Sequence, residues 1–297
     1  MICGGIDLGG TKIEARLFDG PGAETVDLRR IPTPLGSYEE MLVGLESQIA
    51  WLCERAGQPE LPIGIAAPGI IDPDSGIMFT ANLPASGHSI RHSLIRRIGR
   101  DCPVVNDCMA FALSEARGGA GAGATSVMGL ILGTGVGGGY CVDGAFPHRH
   151  GGLAIEIGHI ALPASALARH QLPLWRCGCG RMGCMETAVS GTGLSNIARH
   201  VLGERLDGPE LVARDAQQVF DIWADIAGEC LLTIQLMLDP DCIVLGGGLS
   251  NLPDVVPRLE QGLARHALAN TRRPKLVCAQ HGDSSGTRGA ALLAMNQ

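Results

Sequence analysis

Ile2-Cys3-Gly4-Gly5-Ile6-Asp7-Leu8-Gly9-Gly10-Thr11-Lys12 stands at the start of the chain. The same grammar returns at Val127-Met128-Gly129-Leu130-Ile131-Leu132-Gly133-Thr134-Gly135-Val136-Gly137-Gly138-Gly139. In each, an apolar run of strand length ends in a glycine-rich turn that carries one hydroxyl, Thr11 or Thr134. A third run, Cys242 to Leu245, leads into Gly246-Gly247-Gly248-Leu249-Ser250. Strand followed by glycine turn lets a backbone come close enough to phosphate to donate several N–H bonds. Taken singly, each turn is also compatible with an ordinary tight β-turn. The first lacks the lysine placement of a P-loop, and the second lacks the glycine spacing of a dinucleotide fingerprint. Taken together they suggest two phosphate-facing hairpins and one adenosine-facing turn. Asp7, just before the first turn, is placed to hold Mg2+ through water, since that ion keeps much of its hydration shell.

Outward from these turns the chain alternates strand and helix. Lys12 to Phe18 continues the first strand as a hairpin. Met41, Leu42, Leu45, Ile49 and Leu52 recur at helical period within Tyr38 to Arg55. Leu61 to Ala66 reads as a buried strand stopping at Pro68-Gly69, and His88 to Ile98 as a helix. A short strand at Pro103 to Val105 ends at Asn106-Asp107, followed by a helix from Met109 to Ala116. Gly118 to Ala124 reads as a flexible joint and the best domain boundary. Beyond it come strands at 127–132 and 139–142, helices around Gly191–Leu202 and Gln217–Met237, a strand at 242–245, and helices at 253–268 and Gly286–Leu293. Both halves begin strand, glycine turn, strand. The expectation is a pseudo-duplicated α/β architecture, with a small N-terminal lobe over 1–120 and a larger C-terminal lobe over 121–297. The last helix is expected to be able to pack back on the first lobe.

Arg176-Cys177-Gly178-Cys179-Gly180-Arg181-Met182-Gly183-Cys184-Met185-Glu186 follows Glu156-Ile157-Gly158-His159 by some twenty residues. Three thiols at C-x-C-x4-C spacing with one imidazole form the ligand set of a structural Cys3His zinc site. The competing reading is a glycine-rich turn holding three reduced thiols. Such a site would pin a loop carrying two carboxylates, Glu156 and Glu186, rather than perform chemistry itself.

Bulk composition narrows the class. The 297 residues are 45% hydrophobic and 18% charged, which excludes a disordered chain. Net charge is −7, so nucleic acid and anionic membrane are poor partners. Eleven scattered cysteines, an odd count, argue against a disulfide framework. Neither a signal peptide nor an apolar run of membrane-spanning length is present, and a cytoplasmic location is expected.

Collected in order, these stretches resemble the ROK family of sugar kinases. They are Ile6 to Lys12, Asn106-Asp107, Leu132 to Gly139, Glu156 to His159, Cys177 to Glu186 and Val244 to Gly248. Within the family, Ala81-Asn82-Leu83-Pro84-Ala85-Ser86-Gly87, Val127 to Leu132 and Pro173 to Arg176 are most similar to bacterial members acting on N-acetyl-D-glucosamine. The resemblance implies a two-lobed actin-like ATPase (ribonuclease H-like) α/β fold with a zinc-stabilised loop. It implies ATP-dependent phosphorylation of the 6-hydroxyl of N-acetyl-D-glucosamine, with Mg2+ as cofactor and structural Zn2+. The alternatives inside the family are fructokinase, glucokinase or N-acetylmannosamine kinase activity.

Residue roles follow from the same resemblance. Asp107 would be the general base, a position that would otherwise read as a helix N-cap. Asn106, Glu156, His159 and Glu186 would hold sugar hydroxyls, Gly69 and Ile70 would line the sugar through backbone, and Asn82 and Ser86 would lie near the 2-substituent. Asp7, Gly9, Gly10, Thr11, Lys12, Gly133, Thr134, Gly135, Val136, Gly137 and Gly138 would serve ATP phosphates, and Gly247, Gly248 and Leu249 the adenosine. His159, Cys177, Cys179 and Cys184 would bind zinc. A homodimer is implied. The chain departs from the family at Ile155, where glycine is usual, at Cys108-Met109, and in a slightly short loop from Asn82 to Arg91. A sugar-responsive repressor built on this fold is the rival class. It is disfavoured because Asp7 leaves no room before it for a helix-turn-helix.

Overall fold

The computed structural model describes residues 2–20 and 23–295. Strands β1 (Cys3–Leu8), β2 (Lys12–Asp19) and β3 (Glu24–Pro32) form a meander, followed by helix α1 (Tyr38–Ala56) and β4 (Ile63–Ala67). A small ribbon, β5 (Ile70–Ile71) and β6 (Met78–Phe79), precedes α2 (Ile90–Ile98), β7 (Val104–Asn106) and α3 (Asp107–Ala116). Then come β8 (Ser126–Leu132), β9 (Val136–Val142), α4 (Ala164–His170), α5 (Glu186–Val189), α6 (Gly191–Leu202), α7 (Gly208–Ala213) and α8 (Gln217–Leu238). The chain closes with β10 (Cys242–Gly246), α9 (Val255–His266), β11 (Lys275–Cys278) and α10 (Ser285–Ala294). Among the described residues no helix is long and apolar enough to cross a membrane.

Two compact units emerge. The first comprises Met1–Ala122, Gly139–Ala154 and His281–Gln297; the second comprises Gly123–Gly138 and Ile155–Gln280. The glycine-rich stretch at 118–124 holds the first crossing. A single boundary near residue 120 does not describe the chain, because two later segments return to the first unit. The second crossing falls inside β9, where no composition shift marks it.

In the first unit the sheet order is β3-β2-β1-β4-β7. β1 pairs antiparallel with β2 and parallel with β4, which pairs parallel with β7. Helix α1 is capped by Ser37, whose side chain accepts from Glu40 N, and closed by Gly57 in the left-handed conformation. Its apolar stripe of Met41, Leu42, Leu45, Ile49 and Leu52 is buried with Ile6, Leu8, Ile13 and Ile65 from the sheet. Each such side chain removed from water contributes roughly 1.5–3 kcal/mol. Helix α10 lies directly on the strands of this unit. A Cβ at Gly5 would stand 1.9 Å from the Thr287 carbonyl oxygen, and one at Gly64 2.0 Å from that of Ala290. Glycine at both positions is what admits the helix backbone to the sheet.

In the second unit the sheet order is β11-β10-β8-β9, with β10 parallel to both β8 and β11. Helix α8 buries Trp223 completely, and its indole N–H donates to Val189 O at 2.9 Å. Cys102, Cys230 and Cys242 are buried, Cys53 is half-buried and Cys278 is exposed.

Candidate active site

The first unit gathers one set of the expected residues. The β1–β2 turn is closed by Gly9 N donating to Lys12 O at 3.0 Å and by Thr33 Oγ1 donating to Gly9 O at 2.6 Å. Gly10 faces Asn82, whose Cβ would lie 3.5 Å from a side chain placed there. Lys12 points its ammonium at Glu14, 3.3 Å away. Glu14 is 2% exposed and also receives Arg16 and Arg30, each at 2.5 Å. Burial alone would raise its carboxyl, but the bonds from Arg30 and Arg16 outweigh that and hold it below its ordinary value. Asp7 lies in register with Glu14 across the two strands. Burial, then the neighbouring charge of Asp107, then Glu14, push its carboxyl up to about 6.

Asp107, which by local rules reads as the cap, is the first residue of α3, one place past the cap position. Here Asn106 caps instead: its Oδ1 accepts from Cys108 N at 2.9 Å and Met109 N at 3.2 Å, while its Nδ2 donates to Gly69 O at 2.9 Å. Asn106 is 8% exposed, so its side chain is committed mainly to holding β7, α3 and the Gly69 corner together. Asp107 keeps one bond to its neighbour's amide, Cys108 N to Oδ1 at 2.8 Å. Burial pushes its carboxyl up, and the Cys108 amide partly offsets this. A half-buried carboxyl with a raised pKa suits a proton acceptor at neutral pH. Gly69 and Ile70 stand at the β5 end, where Ile70 pairs with Phe79. Ser86 Oγ is bound to Thr80 O at 2.7 Å and to Thr80 N at 2.9 Å, closing the loop that carries Asn82.

The second unit gathers the rest. A ring nitrogen of His159 and the sulfurs of Cys177, Cys179 and Cys184 all lie within 4.8 Å of one another. Cys177 Sγ is 3.7 Å from His159 Nδ1, and Cys179 Sγ is 3.6 Å from Cys184 Sγ. A tetrahedron with Zn–S bonds of about 2.3 Å has edges of about 3.8 Å, so the donor set fits zinc in both chemistry and spacing. The imidazole comes from a stretch of chain separate from the run that holds the three thiols, so an ion bound there would staple the two together. Glu186 stands beside this cluster: the Cys177 thiol donates to its Oε1 at 2.8 Å, and Val136 N reaches its Oε2 at 3.4 Å. One carboxylate thus touches both the metal loop and the second glycine turn. Glu156 is exposed at the start of the short 3-10 turn that presents His159.

That turn, Gly133 to Gly138, is fixed from several sides. Gly133 N donates to Gly135 O, Gly191 N donates to Gly133 O at 2.8 Å, and Thr192 Oγ1 donates to Thr134 O at 2.9 Å. Gly137 lies within β9, and Gly138 bridges Ile155. Gly247 has φ +80, and a Cβ on it would lie 2.6 Å from Leu132 O. Only glycine brings the third turn this close to the second. Gly133, Thr134, Gly248 and Leu249 then line one cavity of about 810 Å³. This lies within the size range of small-molecule sites. The start of α6, capped by Ser190, also faces it through Gly191 and Thr192. A helix N-terminus there adds partial positive charge.

Comparison with known proteins adds to this geometry. The ROK family model matches residues 3–297. The chain belongs to the ROK family. AgaK, an N-acetylgalactosamine kinase of Shewanella sp. (strain ANA-3), is 40% identical over 296 residues, covering 97% of this chain and 95% of that protein. An N-acetyl-D-glucosamine kinase of Escherichia coli O127:H6 is 39% identical over 298 residues, covering 97% and 98%. The solved structure of a ROK family glucokinase from Streptomyces griseus, in complex with glucose and AMPPNP, superposes with a TM-score of 0.79 at 26% identity, covering all of both chains.

Sequence reasoning did not single out part of this ROK chain's large cavity. Thr192, Ser195, Arg205, Asp207 and Asn251 line it as well. The available signal was Asp207-Gly208-Pro209-Glu210, a capping box in which Asp207 and Glu210 satisfy each other's backbone N–H. It marks the start of α7 but does not say that the helix borders a cavity.

Proposed function

We propose that this ROK kinase transfers the γ-phosphoryl group of ATP to the 6-hydroxyl of an N-acetylhexosamine, N-acetyl-D-glucosamine first. The observation that carries the reading is the state of Asp107: capping has passed to Asn106, and burial raises the carboxyl that would take the hydroxyl proton. Asn106, Glu156, His159 and Glu186 hold the sugar hydroxyls in this reading, with Gly69, Ile70, Asn82 and Ser86 shaping the pocket. His159 keeps Nε2 for the sugar because Nδ1 faces the thiols. Metal ligation at Nδ1 fixes the ring tautomer, so zinc orients a substrate ligand without joining the reaction. The turns at Gly9, Gly10, Thr11, Lys12 and at Gly133 to Gly138 receive phosphates, and Gly247, Gly248 and Leu249 receive the adenosine. Positioning and electrostatics supply most of the rate in such a transfer.

Asp7 is the residue that would hold Mg2+. Its carboxyl is crowded by Asp107 and Glu14, and a cation would relieve that repulsion. Bound there, Mg2+ supplies charge neutralisation to the phosphates. Homodimerisation and a cytoplasmic location belong to the same proposal.

A second reading has a specific observation behind it: the N-acetylgalactosamine kinase is as similar to this chain as the N-acetylglucosamine kinase. The two sugars differ only in the orientation of one hydroxyl. ADP release with Mg-ATP across N-acetylglucosamine, N-acetylgalactosamine, N-acetylmannosamine, glucose and fructose separates them. The highest kcat/KM should fall on N-acetylglucosamine. A higher value on N-acetylgalactosamine moves the assignment to its epimer, and no turnover with any sugar removes the kinase reading.

A further inference from the structure

The metal loop contains an excursion that its own backbone bonds do not hold. Leu162 N donates to Gly183 O at 2.8 Å, and Gly183 N donates to Trp175 O at 2.8 Å. The chain therefore leaves and returns at one residue, the neighbour of the ligand Cys184. Ala161 also bridges Cys184. Between departure and return lies α4, which separates His159 from Cys177. It is seven residues long and has one buried side chain, Ala166. A helix that short is unstable in isolation.

What pins α4 is a buried carboxylate on α8. Asp225 is 5% exposed. From the last turn of α4 it takes Arg169 Nε at 2.9 Å and His170 Nε2 at 2.7 Å. From α9 it takes His266 Nε2 at 2.9 Å, with Arg265 at 3.7 Å. One turn further along α8, Glu229 receives Ser165 Oγ at 2.7 Å and an ion pair from Arg169. Two imidazoles and two carboxylates would also suit a second cation. Here two arginines already supply positive charge to those carboxylates, so the cluster is complete as a clamp.

We infer that Asp225 is a positioning residue for the metal centre: by clamping α4 to α8 and α9, it holds the Leu162 and Trp175 contacts to Gly183, and so keeps Cys184 and Cys177 in place to meet His159. The inference rests on reading His159, Cys177, Cys179 and Cys184 as a zinc site.

The test is the zinc content of the purified protein and the rate of zinc release to a chelating dye, at a temperature where circular dichroism shows each variant folded. Asp225→Asn keeps volume and removes the charge. Asp225 touches no ligand itself, so the ten-fold or greater effect of a direct partner of a metal ligand sets the scale: release faster than wild type, by up to roughly ten-fold, is expected. His170→Gln, a milder cut in the same clamp, should give a smaller acceleration and serves if Asp225→Asn does not fold. Gln235→Ala is the control at the far end of α8, where the amide donates to Arg272 O. It should release zinc at the wild-type rate. Wild-type release rates in folded Asp225→Asn and His170→Gln overturn the clamp, as does equal acceleration in Gln235→Ala at matched Tm. Wild-type protein carrying no zinc overturns the metal centre, and the clamp with it.

Discussion

Asp7 and Asp107 make opposite demands on stability and chemistry. An acid whose folded pKa is raised contributes stability below its unfolded value and loses it as pH climbs through the folded one. For Asp7, moved from 3.8 to about 6, ionisation by neutral pH costs roughly 3 kcal/mol. Asp7→Asn should therefore raise Tm at pH 7–8, with the gain vanishing towards pH 4, while kinase activity is lost. A Tm gain that does not change with pH contradicts the linkage. Asp107→Asn should lower kcat roughly a hundred- to ten-thousand-fold while isothermal titration still detects sugar binding. Retained turnover would assign the proton to another group. Asp107 was legible as a functional candidate only through the family pattern; by local rules it reads as a cap. The capping role of Asn106 was not legible, because two adjacent residues with capping side chains are equivalent until backbone angles separate them.

Elements carry the next set of consequences. Removing the Asn106 cap strips α3 of its first-turn acceptor and leaves Gly69 O without its partner. Asn106→Ala should cost about 2 kcal/mol in urea unfolding and reduce kcat by displacing Asp107. Gly64→Ala should be worse than any surface change, since the α10 backbone must retreat from the sheet. A loss of about 3 kcal/mol or more is expected, and a loss under 1 kcal/mol would show that the contact is compliant. The strongly periodic helices α1 and α8 and the apolar strands β1, β4, β8 and β10 were readable, because burial on one face writes a pattern into sequence. Strand β3 was not read at all. It is an edge strand with exposed Val26, Leu28 and charged neighbours, so it has no apolar period to show. The short α4, α7 and β11 went unread for the same reason: each is held by tertiary contacts rather than by a stripe of its own.

At the scale of the molecule, the Cys3His cluster lies in the second unit, and a zinc ion bound there would couple to the fold of that unit. Ligand binding to a folded site stabilises that fold and not its unfolded chain. Chelation should therefore lower the calorimetric transition of the unit holding the Cys3His cluster, with little movement of the unit holding β1 to β4. A uniform shift of the whole transition would mean that the two units melt together. Acid acts on the same region. His170, Arg169 and His266 overcome the burial of Asp225 and hold its carboxyl down at about 2. That contribution is present at neutral pH and fades as pH falls from about 5 towards 2.

Several things were determined by sequence alone: three strand–glycine-turn units, a thiol and imidazole set at metal spacing, an acidic α/β chain, and the family they jointly resemble. These are local, since a turn's glycines and a ligand's spacing lie within a few residues of each other. Tertiary structure decided which residue caps α3, which segments return to the first unit, and that Gly247 must approach Leu132. It also decided that a carboxylate on α8 anchors the helix inside the metal loop. Those outcomes depend on contacts between residues far apart in the chain, and no periodicity or spacing in one dimension encodes which distant groups meet.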